Sequence, residues 1–184
     1  MRRESDGGTV RLELDGVVLR ALAPDDAAEF ARLANDREVW RNLRDGFPHP
    51  YTLEHAQAFI ARQSEPSGAR VFCIEVDGAV AGACGVHPLT DVYARGAEVG
   101  YWLGRPFHGR GIATKAVGAL TRFAFAELPL DRLQAGVFAW NGASARVLEK
   151  NGYVREAVLR DSVFKDGQLI DSYLYARLRR ELAP

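Results

Sequence analysis

The stretch "EVGYWLGRPFHGRGIATKAVGALTRFAFAEL", Glu98 to Leu128, constrains the chain more than any other. A strand-like run ends in a glycine-dense turn, and a helical pattern through Ile112, Ala116, Leu120, Phe123 and Ala124 begins at once. Glycine weakens a helix, so Gly109 and Gly111 serve either a tight turn or a close approach to the backbone. A helix N-terminus exposes unpaired N–H groups and carries about half a positive charge, so such a turn can hold phosphate oxygens. The P-loop pattern fails, because Gly104 to Gly109 is followed by Arg110-Gly111 and Thr114 precedes Lys115. The dinucleotide pattern fails because Thr114 stands where its third glycine belongs. "HGRGIA" remains, with a turn used only for packing as the competing reading.

Elements of both kinds surround that unit. "VVLRAL", Val17 to Leu22, reads as a first strand, with "VRLEL" before it as an extension. Pro24, Asp25 and Asp26 open a helix whose buried stripe is Ala27, Phe30, Ala31, Leu33 and Ala34. A short helix over Glu38 to Leu43 leads into the loop "RDGFPHPY", and Thr52 with His55 begins a third helix. "RVFCIEV" and "AVAGACGV" flank Asp77-Gly78, a strong hairpin signal. "LQAGVFAW" is a strand, Asn141 to Lys150 a helix stopped by Asn151-Gly152, and "YVREAVLRDSVF" with "LIDSYLYARL" a closing hairpin around Asp166-Gly167. The sum is one α+β domain over residues 1–184, with residues 1–10 a loose extension and a mixed, mostly antiparallel sheet of about seven strands.

Composition excludes several classes of function. With 24 basic and 24 acidic residues the formal charge is zero, which argues against nucleic-acid binding. Four scattered histidines and two isolated cysteines make no metal-ligand set, so no metal is expected. Cys73 and Cys84 lie in apolar runs and read as small buried hydrophobes rather than a disulfide. No apolar run reaches membrane-spanning length and "MRRESDGGTV" has no apolar segment behind it, so a cytoplasmic protein with no membrane partner is expected.

"GYWLGRPFHGRGIATKAV" followed by "WNGASARVLEKNGYVREA" resembles the GNAT superfamily of N-acetyltransferases, and within it the RimJ/RimL-like branch of ribosomal-protein N-terminal acetyltransferases. The likeness runs from "VVLRALAPDDAAEF" to "DSYLYARL". It implies a GNAT-like acyl-CoA N-acyltransferase fold, acetyl-CoA as co-substrate, an amine acceptor, and a monomer or homodimer. The family pattern Q/R-x-x-G-x-G/A falls on His108, Gly111 and Ala113, with His108 replacing the usual Gln or Arg. By resemblance, His108, Gly109, Arg110, Gly111, Ile112, Ala113 and Thr114 bind the cofactor, and the backbone amides of Arg110 to Lys115 cradle its pyrophosphate. The strand Glu98 to Leu103 splays from Leu133 to Val137, and the pantetheine arm lies between them along Val99, Tyr101 and Leu103.

Asn141 suits a helix cap, and in the family the matching residue also bonds the pantetheine arm. Many relatives carry a tyrosine seven residues later as the acid for the departing thiolate; Leu148 stands there instead. In the RimL-like branch a serine three residues after the Asn lies near the sulfur, and Ser144 matches it. An attacking amine must lose a proton, for which Glu98 is the candidate base and Asp171 the second choice. Positioning amine and thioester together contributes about 7–11 kcal/mol. The loop Arg41 to Tyr51 flanks the acceptor side, with Trp40, Phe47 and Tyr51 as candidate substrate-binding residues and Asp45 its one acid. A polycation would want several carboxylates there, so the acceptor read from this loop is a peptide α-amine or a small amino-acid-like molecule. Acetylation of other small amines, and a non-catalytic acyl-CoA-binding module, are the alternatives.

Overall fold

A computed structural model describes residues 2–6, 9–63 and 68–182. The chain opens with strands β1 (Arg2–Asp6), β2 (Thr9–Leu14) and β3 (Val17–Arg20), then helices α1 (Ala27–Ala34), α2 (Arg37–Trp40) and α3 (Leu53–Arg62). Strands β4 (Arg70–Val76), β5 (Ala79–Pro88) and β6 (Gly96–Leu103) precede the long helix α4 (Ile112–Glu127). β7 (Arg132–Phe138), α5 (Gly142–Lys150), β8 (Val154–Lys165) and β9 (Gln168–Leu178) complete it. The strands form one sheet in the order β1-β2-β3-β4-β5-β6-β7-β9-β8. β6 and β7 run parallel; the other neighbouring pairs are antiparallel.

Asp-Gly turns set much of this topology. Asp15-Gly16, Asp77-Gly78 and Asp166-Gly167 all have positive φ at both residues, the geometry that matches a two-residue turn to the twist of its strands. The first corrects the sequence reading: "VRLEL" does not lengthen the strand after it but turns back at Asp15-Gly16 to form β2. Arg2–Asp6 then pairs with β2, where the sequence reading has a loose extension, so the sheet has nine strands rather than about seven. α2 also ends at Trp40, short of the expected Leu43.

Each face of the sheet is covered. Phe72, Ile74, Val86, Ala97, Val99 and Leu133 pack with Ile112, Val117, Leu120 and Phe123 of α4 in one cluster. On the other face Phe30, Leu33, Ala56 and Ile60 of α1 and α3 pack with Cys73, Val80 and Ala83. Phe30 is fully buried, a contribution of about 1.5–3 kcal/mol for a side chain of its size. Arg20 fastens the start of α1 to the sheet. Its guanidinium donates to both carboxylate oxygens of Asp26 at 2.8 Å and to Glu75 Oε2 at 2.6 Å. Thr52 caps α3 as the sequence predicts: its Oγ1 accepts from His55 N–H at 3.3 Å while Thr52 N–H donates to His55 Nδ1 at 3.1 Å. Cys73 and Cys84 are free, buried thiols, and burial pushes Cys73 up to about 12.

One side chain locks α4 to α5. Asn151 Nδ2 donates to Thr114 O at 3.0 Å and to Val147 O at 2.8 Å. Its Oδ1 lies so close to Gly118 that a Cβ there would stand 2.6 Å away. Gly→Ala inside a helix ordinarily stabilises by about 0.5–1 kcal/mol. Here we expect Gly118→Ala to destabilise by about 1–3 kcal/mol, because the doubly bonded Asn151 cannot withdraw. Chemical denaturation measures it, and a stabilised variant would show that Asn151 is free to move.

Candidate functional site

The site begins with a strand that loses its neighbour. β6 pairs with β5 along its length, from Pro88 opposite Ala97 to Gly82 opposite Leu103. With β7 it pairs only through Gly96/Arg132, Ala97/Leu133 and Glu98/Gln134. Gly104 N–H donates to Ala81 O, and Leu89 N–H to Gly96 O, both at 2.9 Å. Even-numbered backbone groups of β6 therefore face β5 and odd-numbered ones face β7; in the register of Glu98/Gln134 the Val99 N–H is the last to pair, and Val99 O with the backbone groups of Tyr101 and Leu103 lies beyond it. The expected splay between these strands is present, and the Val99 carbonyl and the backbone edge of Tyr101 open into it.

At the far end of that edge the glycine turn folds back. His108 Nε2 donates to Leu103 O at 2.8 Å, so its side chain ties the turn to the end of β6 and fixes Nε2 as the protonated nitrogen. Gly109 and Gly111 have φ of +74° and +75°, left-handed values that glycine adopts without strain. Nothing lies within 4 Å of the position a Cβ would take at either, so the space above both is open. Gly111 is the N-cap of α4, and its carbonyl accepts from Lys115 N–H at 3.1 Å. The amides of Ile112, Ala113 and Thr114 precede that first helical bond, and the first turn carries no acid. Arg110 swings its guanidinium to 5.8 Å from the Phe107 ring. An anion fits here: open space, unbonded amides and the positive end of a long helix coincide.

α5 brings the next groups to the same face. Asn141 caps it, accepting from Ser144 N–H at 3.1 Å. The Tyr101 hydroxyl lies 2.7 Å from Ser144 Oγ and 3.1 Å from Ser144 O. Burial holds the Tyr101 phenol well above its ordinary value, the Ser144 bond opposes this, and the Tyr153 and Tyr175 phenols add to it. Leu148 is fully buried in the α4 cluster, so the position that carries a tyrosine in many relatives is a core position here.

Side chains alternate along β6, so Glu98 projects to the opposite face with Trp102, toward α1 and α3. The Arg44 guanidinium bonds its carboxylate. His87, the cross-strand partner of Glu98, is held below its ordinary value, chiefly by desolvation; Glu98 opposes the shift and Arg44 reinforces it. Trp40 stacks on His49 with ring centroids 5.6 Å apart, and Lys165 Nζ lies 3.8 Å from the Trp40 ring while bonding Asp45 Oδ1 at 2.6 Å. Phe47 packs against Tyr51 and Trp102, and Tyr51, 5% exposed, belongs to the α1–α3 core. Asp171 Oδ1 accepts from Asp161 N–H at 2.9 Å, beside the irregularity in β8.

Sequence reasoning missed the Tyr101 hydroxyl, Arg44, His87 and Trp140. Trp140, between β7 and α5, lies beneath the Arg41 guanidinium, 4.7 Å from its ring centroid. Arg41 Nε and Trp140 Nε1 are buried with no hydrogen-bond partner among the described residues. Also among the described residues, no group of three or more His, Cys, Asp or Glu could hold a metal, and no helix is long and apolar enough to cross a membrane.

Residues 17–154 match the family described as an acetyltransferase (GNAT) domain. The chain is 38% identical to the uncharacterized N-acetyltransferase p20 of Bacillus licheniformis over 179 residues, 94% of this chain and 98% of that one. It is 37% identical to YdaF of Bacillus subtilis, a candidate ribosomal N-acetyltransferase, over 171 residues, 90% of this chain and 92% of that one. Among solved structures, RimJ of Mycobacterium smegmatis in complex with CoA-disulfide superposes with a TM-score of 0.83 at 26% identity, covering 96% of this chain and 89% of that one.

The His108 tie is directly testable. His108→Ala should lower stability by about 0.5–1.5 kcal/mol, the net worth of one hydrogen bond, and His108→Gln, which keeps a donor, should restore part of it. Equal melting temperatures for wild type and the alanine variant would show that the turn holds itself.

Proposed function

The chain belongs to the GNAT acetyltransferase family, and from that premise we propose that it moves an acetyl group from acetyl-CoA directly to the α-amine of a peptide or protein N-terminus. The opening between β6 and β7 carries this reading, because it joins two faces with different chemistry. Acetyl-CoA supplies a thioester carbonyl for the amine to attack and a sulfur that departs as thiolate. The amides from Gly109 to Thr114 hold the diphosphate without a lysine. The Val99 carbonyl and the Tyr101 amide and carbonyl offer an edge to the pantetheine arm, while Leu103 O is already taken by His108.

Proton handling divides between the faces. Ser144 donates a hydrogen bond to the departing sulfur from the α4–α5 face. Glu98 accepts the amine's proton from the other face, directly or through water, once Arg44 has moved off its carboxylate. Asp171 Oδ1 already accepts from Asp161 N–H and remains the second choice.

Two groups that lack partners among the described residues support this acceptor. Arg41 Nε and Trp140 Nε1 are both donors, and each unmade bond at a buried group costs about 1–3 kcal/mol. A peptide brings carbonyl oxygens to satisfy them, displacing the Arg41 guanidinium from the Trp140 ring. A protonated polyamine brings only further donors, and Asp45 is already paired with Lys165. The name of YdaF, a candidate ribosomal enzyme, points the same way.

Acetyl-CoA at a hundredfold excess over its dissociation constant should stabilise the protein by about 2.7 kcal/mol. Gly111→Val, which places a β-branched residue at positive φ over the amides, should abolish that gain; an undiminished ligand-induced melting shift in the variant would remove the cradle. A panel of short peptides, spermidine and kanamycin, read by thiol release, tests the acceptor. We expect the highest kcat/KM among the peptides, and preference for either polycation overturns the assignment.

A further inference from the structure

We propose that Tyr101 is a positioning residue for Ser144, its hydroxyl turning the serine O–H toward the opening between β6 and β7. The proposal rests on the role given to Ser144 above. Each hydroxyl has one proton to place, and the geometry offers two arrangements of the pair. In one, Tyr101 donates to Ser144 O at 3.1 Å and Ser144 Oγ–H donates to the phenol oxygen at 2.7 Å. Both protons are then used within the pair and none faces the opening. In the other, Tyr101 donates to Ser144 Oγ and the serine proton is free to point outward. The two differ only in hydroxyl rotation, so no heavy atom has to move. A thiolate in the opening favours the second, since a hydrogen bond to a charged acceptor outweighs one to a neutral carbonyl.

The surrounding side chains make this pairing specific. Tyr101 is an odd-numbered residue of β6, so the position whose backbone borders the opening also sends its ring to the α5 face. The neighbouring buried phenols are committed elsewhere. Tyr153 bonds Thr121 Oγ1 at 2.8 Å, and Tyr175 donates to Glu149 Oε1 at 2.9 Å. Asn141 fixes the backbone of Ser144 from the other side. Burial raises the Tyr101 phenol above its ordinary value, which favours its protonated, donating form at neutral pH.

Tyr101→Phe, Ser144→Ala and the double variant decide the matter, assayed with the panel member that is turned over fastest. Tyr101→Phe keeps the ring in the core. It should lower kcat on the order of tenfold, with the KM for acetyl-CoA and the melting shift induced by CoA unchanged. The double variant should be no slower than Ser144→Ala, because the two residues act as one unit. Because the phenol keeps its proton, the pH profile of kcat should retain its shape in Tyr101→Phe. Wild-type kcat in Tyr101→Phe alongside a slow Ser144→Ala overturns the positioning role and leaves the reading of Ser144 intact. Wild-type kcat in Ser144→Ala removes both. Additive losses in the double variant, or an alkaline limb lost with the phenol, overturn the positioning role.

Discussion

Everything in this structure that bears on chemistry follows from two neighbouring strands that keep different partners. β6 and β7 begin as a parallel pair and separate after Glu98 and Gln134. β6 stays with β5, which presses so close at Gly82 that a Cβ there would lie 2.1 Å from Trp102 O. β7 stays with β9 from Arg132/Leu178 to Phe138/Ser172. With each strand fully paired on its outer side, the inner side opens and a row of backbone groups is left without a ladder. Such a row is ordinarily a liability in a sheet. Here it lies inside the fold and forms one wall of the opening.

Strand alternation then assigns the chemistry. Odd residues of β6 place Val99, Tyr101 and Leu103 toward α4 and α5, where the amides of the glycine turn and the Ser144 hydroxyl lie. Even residues place Glu98 and Trp102 toward α1, α3 and the loop that carries Arg44 and Phe47. Ser144 and Glu98, to which we assign the donor for the departing thiolate and the acceptor for the amine proton, are thereby separated by the thickness of one strand. Asn151, bonded to the Thr114 and Val147 carbonyls, keeps the helix that would hold the diphosphate in register with the helix that carries Ser144.

Much of this was legible in local sequence. The Asp-Gly turn at 77–78, the glycine-opened helix at 111–112 and the Thr52/His55 cap each depend on a few adjacent residues. Asp15-Gly16 carries the same signal as Asp77-Gly78, and β2 could have been read from it. The alternation that sends Tyr101 to the α5 face was likewise available, and Ser144 was read from the resemblance, but the contact between them was not, because 43 positions separate the two. The contact of Arg44 with Glu98, 54 apart, and the pair of donors at Arg41 and Trp140 without partners among the described residues are products of tertiary packing alone. Tyr51 shows the converse limit: an aromatic residue in a loop beside the cleft reads as a contact for substrate, yet it lies 5% exposed in the core.

Residue-resolved amide exchange with and without saturating CoA tests the open strand edge most directly. The amides of Gly100 and Trp102, which face β5, should exchange slowly in both states. That of Tyr101 should exchange fast in the free protein and slow at least tenfold, roughly the effect of one added hydrogen bond, when CoA binds. A Tyr101 amide that is protected before CoA is added, or whose exchange is unchanged by it, would contradict the placement of the pantetheine arm between β6 and β7.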